Sequence, residues 1–429
     1  MTEHIVISGI GVEAPGGIET LPGYWSALEQ SRDLLAPLPR DRGWPVADLL
    51  TLDRNENWSA VPDSGGFLTG ASEFDPGFFG ITPREALAAD PQQRVALRVA
   101  WRALEHAGIN PGALAGADAG CFMGGSYTEY GPRAAEVNEL SGYRVVGTAY
   151  GAIAGRVSHV LGLTGPSLTV GAECASSLAA IHQAASAIRL GECEWALAGA
   201  VCVMGAPGAF YEFAKNNALA TDGYCRAYSR AATGTVWGEG AGVVVLEPES
   251  RARRLGHRIY GRLLASRVNH NGGGAPIAVP SAAAQEALVR KTIDAAGVDP
   301  AHIDLVEGHG TGTPVGDPLE LEALCATYGA TGTPALGSVK TNLGHAQAAA
   351  GMLGLIKVLL CGSAGFIAPS RFADDPTPHV DWEATGLRLA AELEPWAARD
   401  GVRYGAVSSF GVAGTNAHAI VAMPETARD

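Results

Sequence analysis

Cys174, His309 and His345 sit in the sequence surroundings best suited to covalent chemistry. An apolar stretch, residues 167–172, runs into Glu173-Cys174-Ala175, and a small-residue helical pattern follows. That spacing predicts a sulfur at a strand-to-helix corner, where unpaired N–H groups and the helix dipole favour thiolate over thiol. The plainer reading is that free cysteine is among the most buried residue types and only packs. His309 follows a short apolar run inside a Gly/Thr loop, and His345 follows residues 337–344 at the mouth of a helix. Strand ends of α/β sheets are where ligands gather. A single histidine in a glycine loop is more often structural. Two of them with a strand-end cysteine form the set expected of a nucleophile with acid–base partners. No carboxylate pair or metal-ligand spacing in the sequence competes with this set.

The elements that must position these residues are legible as short apolar runs alternating with alanine-rich helical patterns. Strands are predicted at 4–10, 120–123, 167–172, 195–204, 242–247, 259–267, 303–306, 335–339, 404–408 and 417–422. Helices are predicted at 91–107, 176–190, 283–296, 319–328 and 346–360. This alternation argues for α/β architecture with partly parallel sheets. Many of the strands are apolar along their whole length, as expected when helices cover both faces. The best seam is the charged stretch 248–258. Two long segments, 37–80 and 362–396, read as mostly irregular, either functional loops or caps on the core. Gly9-x-Gly11-x-x-Ala14 loosely fits a dinucleotide fingerprint, but Pro15-Gly16-Gly17 stands where the phosphate-binding helix would begin, so a plain turn is expected. The run His309–Thr313 lacks the Gly-Lys-Ser/Thr of a phosphate cradle.

Composition narrows the class further. The chain has 429 residues, 57 of them glycine, with 17% charged residues and a net charge of −14. As a prior, this length gives about three domain-sized units, or fewer and larger ones. Low charge and abundant glycine exclude a coiled coil or a disordered chain. The acidic balance argues against nucleic acid, where a basic patch supplies most of the affinity. Seven scattered cysteines with no CxxC pair support neither a disulfide framework nor a zinc ribbon. The N-terminus lacks the features of a signal peptide. The longest apolar stretch, 346–361, contains Lys357 and is too short to span a membrane, so a cytoplasmic protein is expected.

Four long motifs carry a family resemblance. Cys174-Ala175-Ser176-Ser177-Leu178 with His182 resembles the nucleophile motif of the β-ketoacyl synthase (ketosynthase) family of the thiolase superfamily. Glu307-Gly-His309-Gly-Thr311-Gly-Thr313 through Asp317 and Glu320 resembles its first histidine motif, and Lys340-Thr-Asn-Leu-Gly-His345 its second. Ser408-Ser-Phe-Gly411-Val-Ala-Gly414-Thr-Asn416-Ala-His418 resembles its C-terminal glycine-rich loop. The resemblance covers nearly the whole chain. Asp41-Arg-Gly-Trp44, residues 74–85 and Asp90-Pro-Gln-Gln-Arg94 are similar in style to modular type I polyketide synthase ketosynthases, here without a following acyltransferase or carrier region.

The resemblance implies a thiolase fold: duplicated βαβαβαββ halves, at 1–255 and 256–429, with two stacked sheets in five α-β-α-β-α layers. It implies that Cys174 is acylated from a phosphopantetheine thioester and condensed with a malonyl-type thioester on an acyl carrier protein. His309 and His345 would hold the enolate oxygen, and Lys340 would hold the histidine network. Backbone N–H groups of Cys174 and Val412 would form an oxyanion hole. Thr311, Thr313, Gly411, Val412 and Ala413 would line the pantetheine and substrate path. No bound cofactor or metal is implied, since the carrier brings the phosphopantetheine. Homodimers are expected from the same resemblance. For carrier docking, Arg251, Arg253, Arg254 and Arg258 offer a local basic patch.

The sequence also departs from the family. Gly171-Ala172-Glu173-Cys174-Ala175-Ser176-Ser177 replaces the usual Asp-Thr-Ala-Cys-Ser-Ser-Ser. An ionised Glu173 would raise the thiol pKa, although alternation on a strand would turn it away from Cys174. It either pairs with a structural partner or tunes the substrate pocket. Glu13 replaces an arginine, a change expected to be structural, and Asn269-His270-Asn271-Gly272 stands in place of Asn-Gln-Asp-Gly. These departures raise one alternative: a ketosynthase-like acyltransferase or hydrolase that passes the Cys174 acyl group to an O, N or S acceptor.

Overall fold

The structure, a computed structural model, describes residues 3–52, 58–131 and 136–425. Its strands in chain order are β1 (Ile5–Glu13), β2 (Ala119–Gly124), β3 (Ser167–Val170), β4 (Trp195–Cys202), β5 (Gly240–Pro248), β6 (Gly261–His270), β7 (Ile303–Glu307) and β8 (Ala335–Gly337). Two-residue strands β9 (Phe366–Ile367), β10 (Arg388–Leu389) and β11 (Glu394–Pro395) follow, then β12 (Val402–Phe410) and β13 (Thr415–Pro424). The spatial order β3-β2-β4-β5-β1 in the first half is matched by β8-β7-β12-β13-β6 in the second. The directions match too: β2 lies parallel to β3 and β4 while β5 and β1 run antiparallel, and β7 lies parallel to β8 and β12 while β13 and β6 run antiparallel. Each half therefore winds βαβαβαββ, as the resemblance implied.

One detail differs from two separate stacked sheets. Ile5–Ile7 of β1 pair with Gly261–Leu263 of β6, so the two sheets share one continuous ladder. The helices still give five layers. Pro91–His106 and Ala152–Leu161 cover the outer face of the first sheet, and Ala282–Ala296 and Gly316–Ala326 lie on the outer side of the second half. Ser176–Leu190 and Ala350–Ala364 pack against each other between the sheets. Among the described residues, the buried apolar side chains form three clusters, one large central and two outer, consistent with this layering.

The central pair is close. A Cβ on Gly351 would lie 2.7 Å from Ser177 Oγ and 3.0 Å from Ser409 Cβ, so only glycine permits this approach. Residues 347–364 are apolar and long enough to cross a membrane, longer than the sequence suggested, yet 78% of that stretch is buried inside the protein. It is a core helix. Lys357 on it is fully buried and pairs with Glu307 Oε2 at 2.7 Å, while Glu307 Oε1 accepts from Val339 N at 2.6 Å.

The irregular segments cap the core. Trp44 and Phe67 of segment 37–80 join the central cluster, and Arg42 forms a bidentate pair with buried Glu239. Glu239 also accepts from Leu68 N at 2.9 Å and Met204 N at 2.7 Å, tying the segment to the end of β4. Glu13 is structural as expected: it is buried and paired with Arg98 and Arg102, each at 2.7 Å.

Removing one partner of a buried pair leaves an uncompensated charge, which costs about 3–5 kcal/mol. Lys357→Met is therefore expected to lower stability by about that amount. A denaturation midpoint unchanged from wild type would show that Glu307 is satisfied without Lys357.

Candidate active site

The nucleophile sits where β3 gives way to the central helix. The ladder stops at Val170, and Glu173–Ala175 forms a single 3₁₀ turn leading directly into Ser176–Leu190. Ser176 Oγ stitches this corner, accepting from Ala172 N at 2.9 Å and donating to Glu173 O at 2.6 Å. Across the chain, Ser409 Oγ on β12 donates to the Cys174 carbonyl at 2.6 Å, so the corner of one half is anchored to a strand of the other. Strand alternation does not govern Glu173. It lies in the turn at φ 50° with an exposed side chain, and its charge acts on the neighbouring sulfur.

Burial pushes the Cys174 thiol up to about 12, opposite to the direction expected of a helix N-terminus. Desolvation dominates because the charged form must give up water. The Lys340 charge opposes this rise, Glu173 adds to it, and the backbone N–H groups of Val412 and Cys174 lower it by hydrogen bonding to the sulfur. The resting nucleophile is a thiol, so attack requires its proton to leave.

A cavity of about 360 Å³ joins Cys174, His309 and His345 to Thr311, Thr313, Gly411 and Val412. The structure thus brings together residues from both halves that the sequence singled out. Lys340 is buried outside this lining, close enough for its charge to depress both imidazoles and the thiol. Ala413 does not line the cavity; its carbonyl accepts from His270 Nε2 at 2.9 Å. Thr311 and Thr313 hydroxyls lie 3.0 Å apart, and Thr313 Oγ1 accepts from Gly316 N.

Both histidines are neutral in this setting. Burial, then the Lys340 charge, holds each imidazole well below its ordinary range, and for His309 the neighbouring His345 adds to the effect. His345 Nδ1 accepts from Gln347 N at 3.0 Å and His309 Nδ1 from Phe410 N at 3.4 Å. An accepting Nδ1 in a neutral ring leaves the proton on Nε2. The rings stand edge to face with centroids 5.3 Å apart. The pair therefore offers two N–H donors, suited to a developing oxyanion.

Several supporting roles were not assigned from the sequence, although Asp317 and Glu320 stand in the first histidine motif. Buried Glu320 accepts from His309 N (2.6 Å), Gly310 N (2.8 Å) and Tyr228 OH (2.9 Å), and Asp317 accepts from Gly312 N (3.0 Å) and Tyr228 N (2.7 Å). Burial raises both carboxyls, Asp317 to about 7. They cradle the His309 loop from the helix Gly316–Ala326. Acidic residues after a Gly/Thr loop were a visible signal for this role. Phe213 and Trp237, stacked edge to face at 4.4 Å, wall the cavity with no sequence cue at all. The arginine patch fares worse: Arg251 pairs with Glu247 at 2.5 Å and Arg253 with Glu249 at 2.6 Å, neutralising much of its charge.

Residues 2–252 match the β-ketoacyl synthase N-terminal domain and residues 260–373 its C-terminal domain. The chain belongs to the β-ketoacyl synthase family. It is 47% identical over 423 residues to erythronolide synthase EryA2 of Saccharopolyspora erythraea, covering 98% of this chain and 12% of that protein. It is 45% identical to the phenolphthiocerol synthesis polyketide synthase type I Pks15/1 of Mycobacterium bovis, covering 98% and 20% respectively. The chain thus spans a fifth or less of these two relatives. Among solved structures, the oxazolomycin ketosynthase domain OzmH KS7 of Streptomyces albus matches at TM-score 0.91 and 35% identity, covering 99% of this chain and 76% of that one. The module 6 ketosynthase of the Bacillus subtilis bacillaene synthase (C167S mutant) matches at TM-score 0.90 and 34% identity, covering 99% and 72%.

A thiol held at about 12 reacts through a small thiolate fraction that rises about tenfold per pH unit. Cys174 alkylation by iodoacetamide is expected to accelerate from pH 7 to 10 without a plateau. Glu173→Gln is expected to increase the rate at a given pH and Lys340→Met to decrease it. A plateau below pH 8, read by intact mass, would contradict burial as the dominant influence.

Proposed function

We propose that this chain catalyses decarboxylative Claisen condensation of the polyketide type. The observation that carries this reading is one neutral, Nε2-protonated histidine pair facing a cysteine in a shared cavity. Cys174 attacks an acyl thioester, the S–C bond forms, and the thiol proton leaves with the departing pantetheine thiol. A malonyl-type thioester then loses carbon dioxide, and Nε2–H groups of His309 and His345 hold the enolate oxygen. The enolate carbon attacks the Cys174 thioester, the C–S bond breaks, and the departing thiolate takes a proton from water. N–H groups of Val412 and Cys174 hold the oxyanion in both tetrahedral steps. Thr311 and Thr313 at the cavity wall bind the pantetheine arm. Transfer to an O, N or S acceptor would leave the two N–H donors without an enolate to hold.

The acyl donor and extender arrive on an acyl carrier protein, which supplies the phosphopantetheine. Glu173, exposed beside the sulfur, tunes which acyl groups load. The setting is cytoplasmic. The unit is a homodimer: β3 is the edge strand of its sheet, its Leu168 is 52% exposed, and Tyr127, Val145 and Val146 are exposed as well. An open edge with apolar side chains invites pairing with a second copy.

Intact-protein mass spectrometry of acylated enzyme with malonyl-loaded carrier tests the chemistry. The carrier is expected to gain the acyl group and lose carbon dioxide, and Cys174→Ala should abolish this. A carrier returned unextended would overturn condensation. Sedimentation at micromolar concentration is expected to give a dimer mass, and a monomer would refute that part.

A further inference from the structure

His270 departs from the family motif, and the fold gives it a position beside the reacting centre. It is the last residue of β6, in register with Thr415 at the start of β13. The loop between β12 and β13, residues 411–414, carries Val412, which lines the cavity with Cys174 and whose N–H lowers the thiol pKa. Both ring nitrogens of His270 are committed. Nδ1 accepts from Gly272 N at 3.0 Å, so the proton resides on Nε2, which donates to the Ala413 carbonyl at 2.9 Å. The ring also lies under Gly414, where a Cβ would come within 2.7 Å of Nε2; with φ at 92°, that position suits only glycine.

Apart from the Val412 N–H turned to Cys174, the other bonds of the loop among the described residues are backbone to backbone. Gly414 N donates to Gly411 O at 2.9 Å, Gly411 N to Thr415 O at 2.7 Å, and Asn271 N to Gly414 O at 2.9 Å. Neither neighbour of Val412 in the chain supplies a side-chain bond, and Val412 and Ala413 are both exposed. His270 is thus the side chain that bonds a carbonyl in the middle of this loop. The ring is itself exposed, so its bonds compete with water and add little to global stability. Their effect is local.

We propose that His270 is a positioning residue that fixes the direction of the Val412 N–H toward the oxyanion. The proposal rests on the ketosynthase reading and on the oxyanion role of Val412 within it. His270 touches no substrate; it acts through Ala413 on the neighbouring peptide. A donor displaced by about 1 Å costs up to about a hundredfold in rate. The acylation half-reaction passes through a tetrahedral oxyanion, whereas decarboxylation of the malonyl group relies on the histidine pair, so the two steps depend differently on this loop.

The test measures both half-reactions in His270→Ala and His270→Gln. Single-turnover acylation of Cys174 by butyryl-pantetheine is followed by intact mass. Decarboxylation of malonyl-loaded carrier is followed in protein whose Cys174 has been alkylated. His270→Ala is expected to slow acylation about tenfold or more while decarboxylation stays within about twofold of wild type. His270→Gln, whose amide can still donate to Ala413, is expected to recover most of the acylation rate. Unchanged acylation in the alanine variant, an equal fall in both half-reactions, or no recovery with glutamine would each overturn the proposal. Wild-type protein that neither acylates nor decarboxylates would instead overturn the ketosynthase reading, and the proposal with it.

Discussion

The contact between the two central helices is the constraint on which the site depends. The nucleophile belongs to the first half and the histidines to the second, with more than a hundred residues between them. What unites them is the dry seam where Ser176–Leu190 meets Ala350–Ala364, closed to glycine-limited distance at Gly351. Both helices begin with a 3₁₀ turn, Glu173–Ala175 and Gln347–Ala349, and those turns touch. The duplication is therefore also a device for placing two equivalent strand-to-helix corners opposite one another.

Burial at that seam sets the charge state of the chemistry. A helix N-terminus favours a thiolate by a modest amount, whereas desolvation of a buried sulfur costs more, and burial prevails at Cys174. The same desolvation keeps His309 and His345 neutral, with Lys340 reinforcing it. Neutral rings can donate from Nε2 without carrying a charge that a dry pocket would have to stabilise. Lys340 supplies the positive field from behind, out of reach of direct contact with the cavity. The site thereby separates its electrostatic source from its hydrogen-bond donors.

Carboxylates do the scaffolding. Glu307 pins the helix carrying Lys357 and the start of the Lys340 turn, Glu320 and Asp317 cradle the His309 loop, and Glu239 ties segment 37–80 to β4. Each is buried and each accepts from backbone N–H groups, so each converts an unavoidable loop into a determined one. Glu173 is the exception, a carboxylate left exposed at the nucleophile.

The order and type of most main elements were legible from the sequence because apolar runs and small-residue helices repeat with distinct periods, although the outer-layer helix Ala152–Leu161 was not among those predicted. Cys174, His309 and His345 were legible because nucleophile and acid–base chemistry needs particular side chains at strand ends. The facing of Glu173 was not, since a 3₁₀ turn replaced the strand on which alternation would hold. The two-residue strands β9, β10 and β11 carry too little pattern to register. The protonation of the thiol, the tautomers of the histidines, the aromatic wall of Phe213 and Trp237 and the bracing by His270 belong to the tertiary structure alone. Each depends on which distant groups come within a few ångströms and on how much water they exclude. Sequence spacing determines residue type and local geometry; only packing determines distance and burial, and these decide the electrostatics of the site.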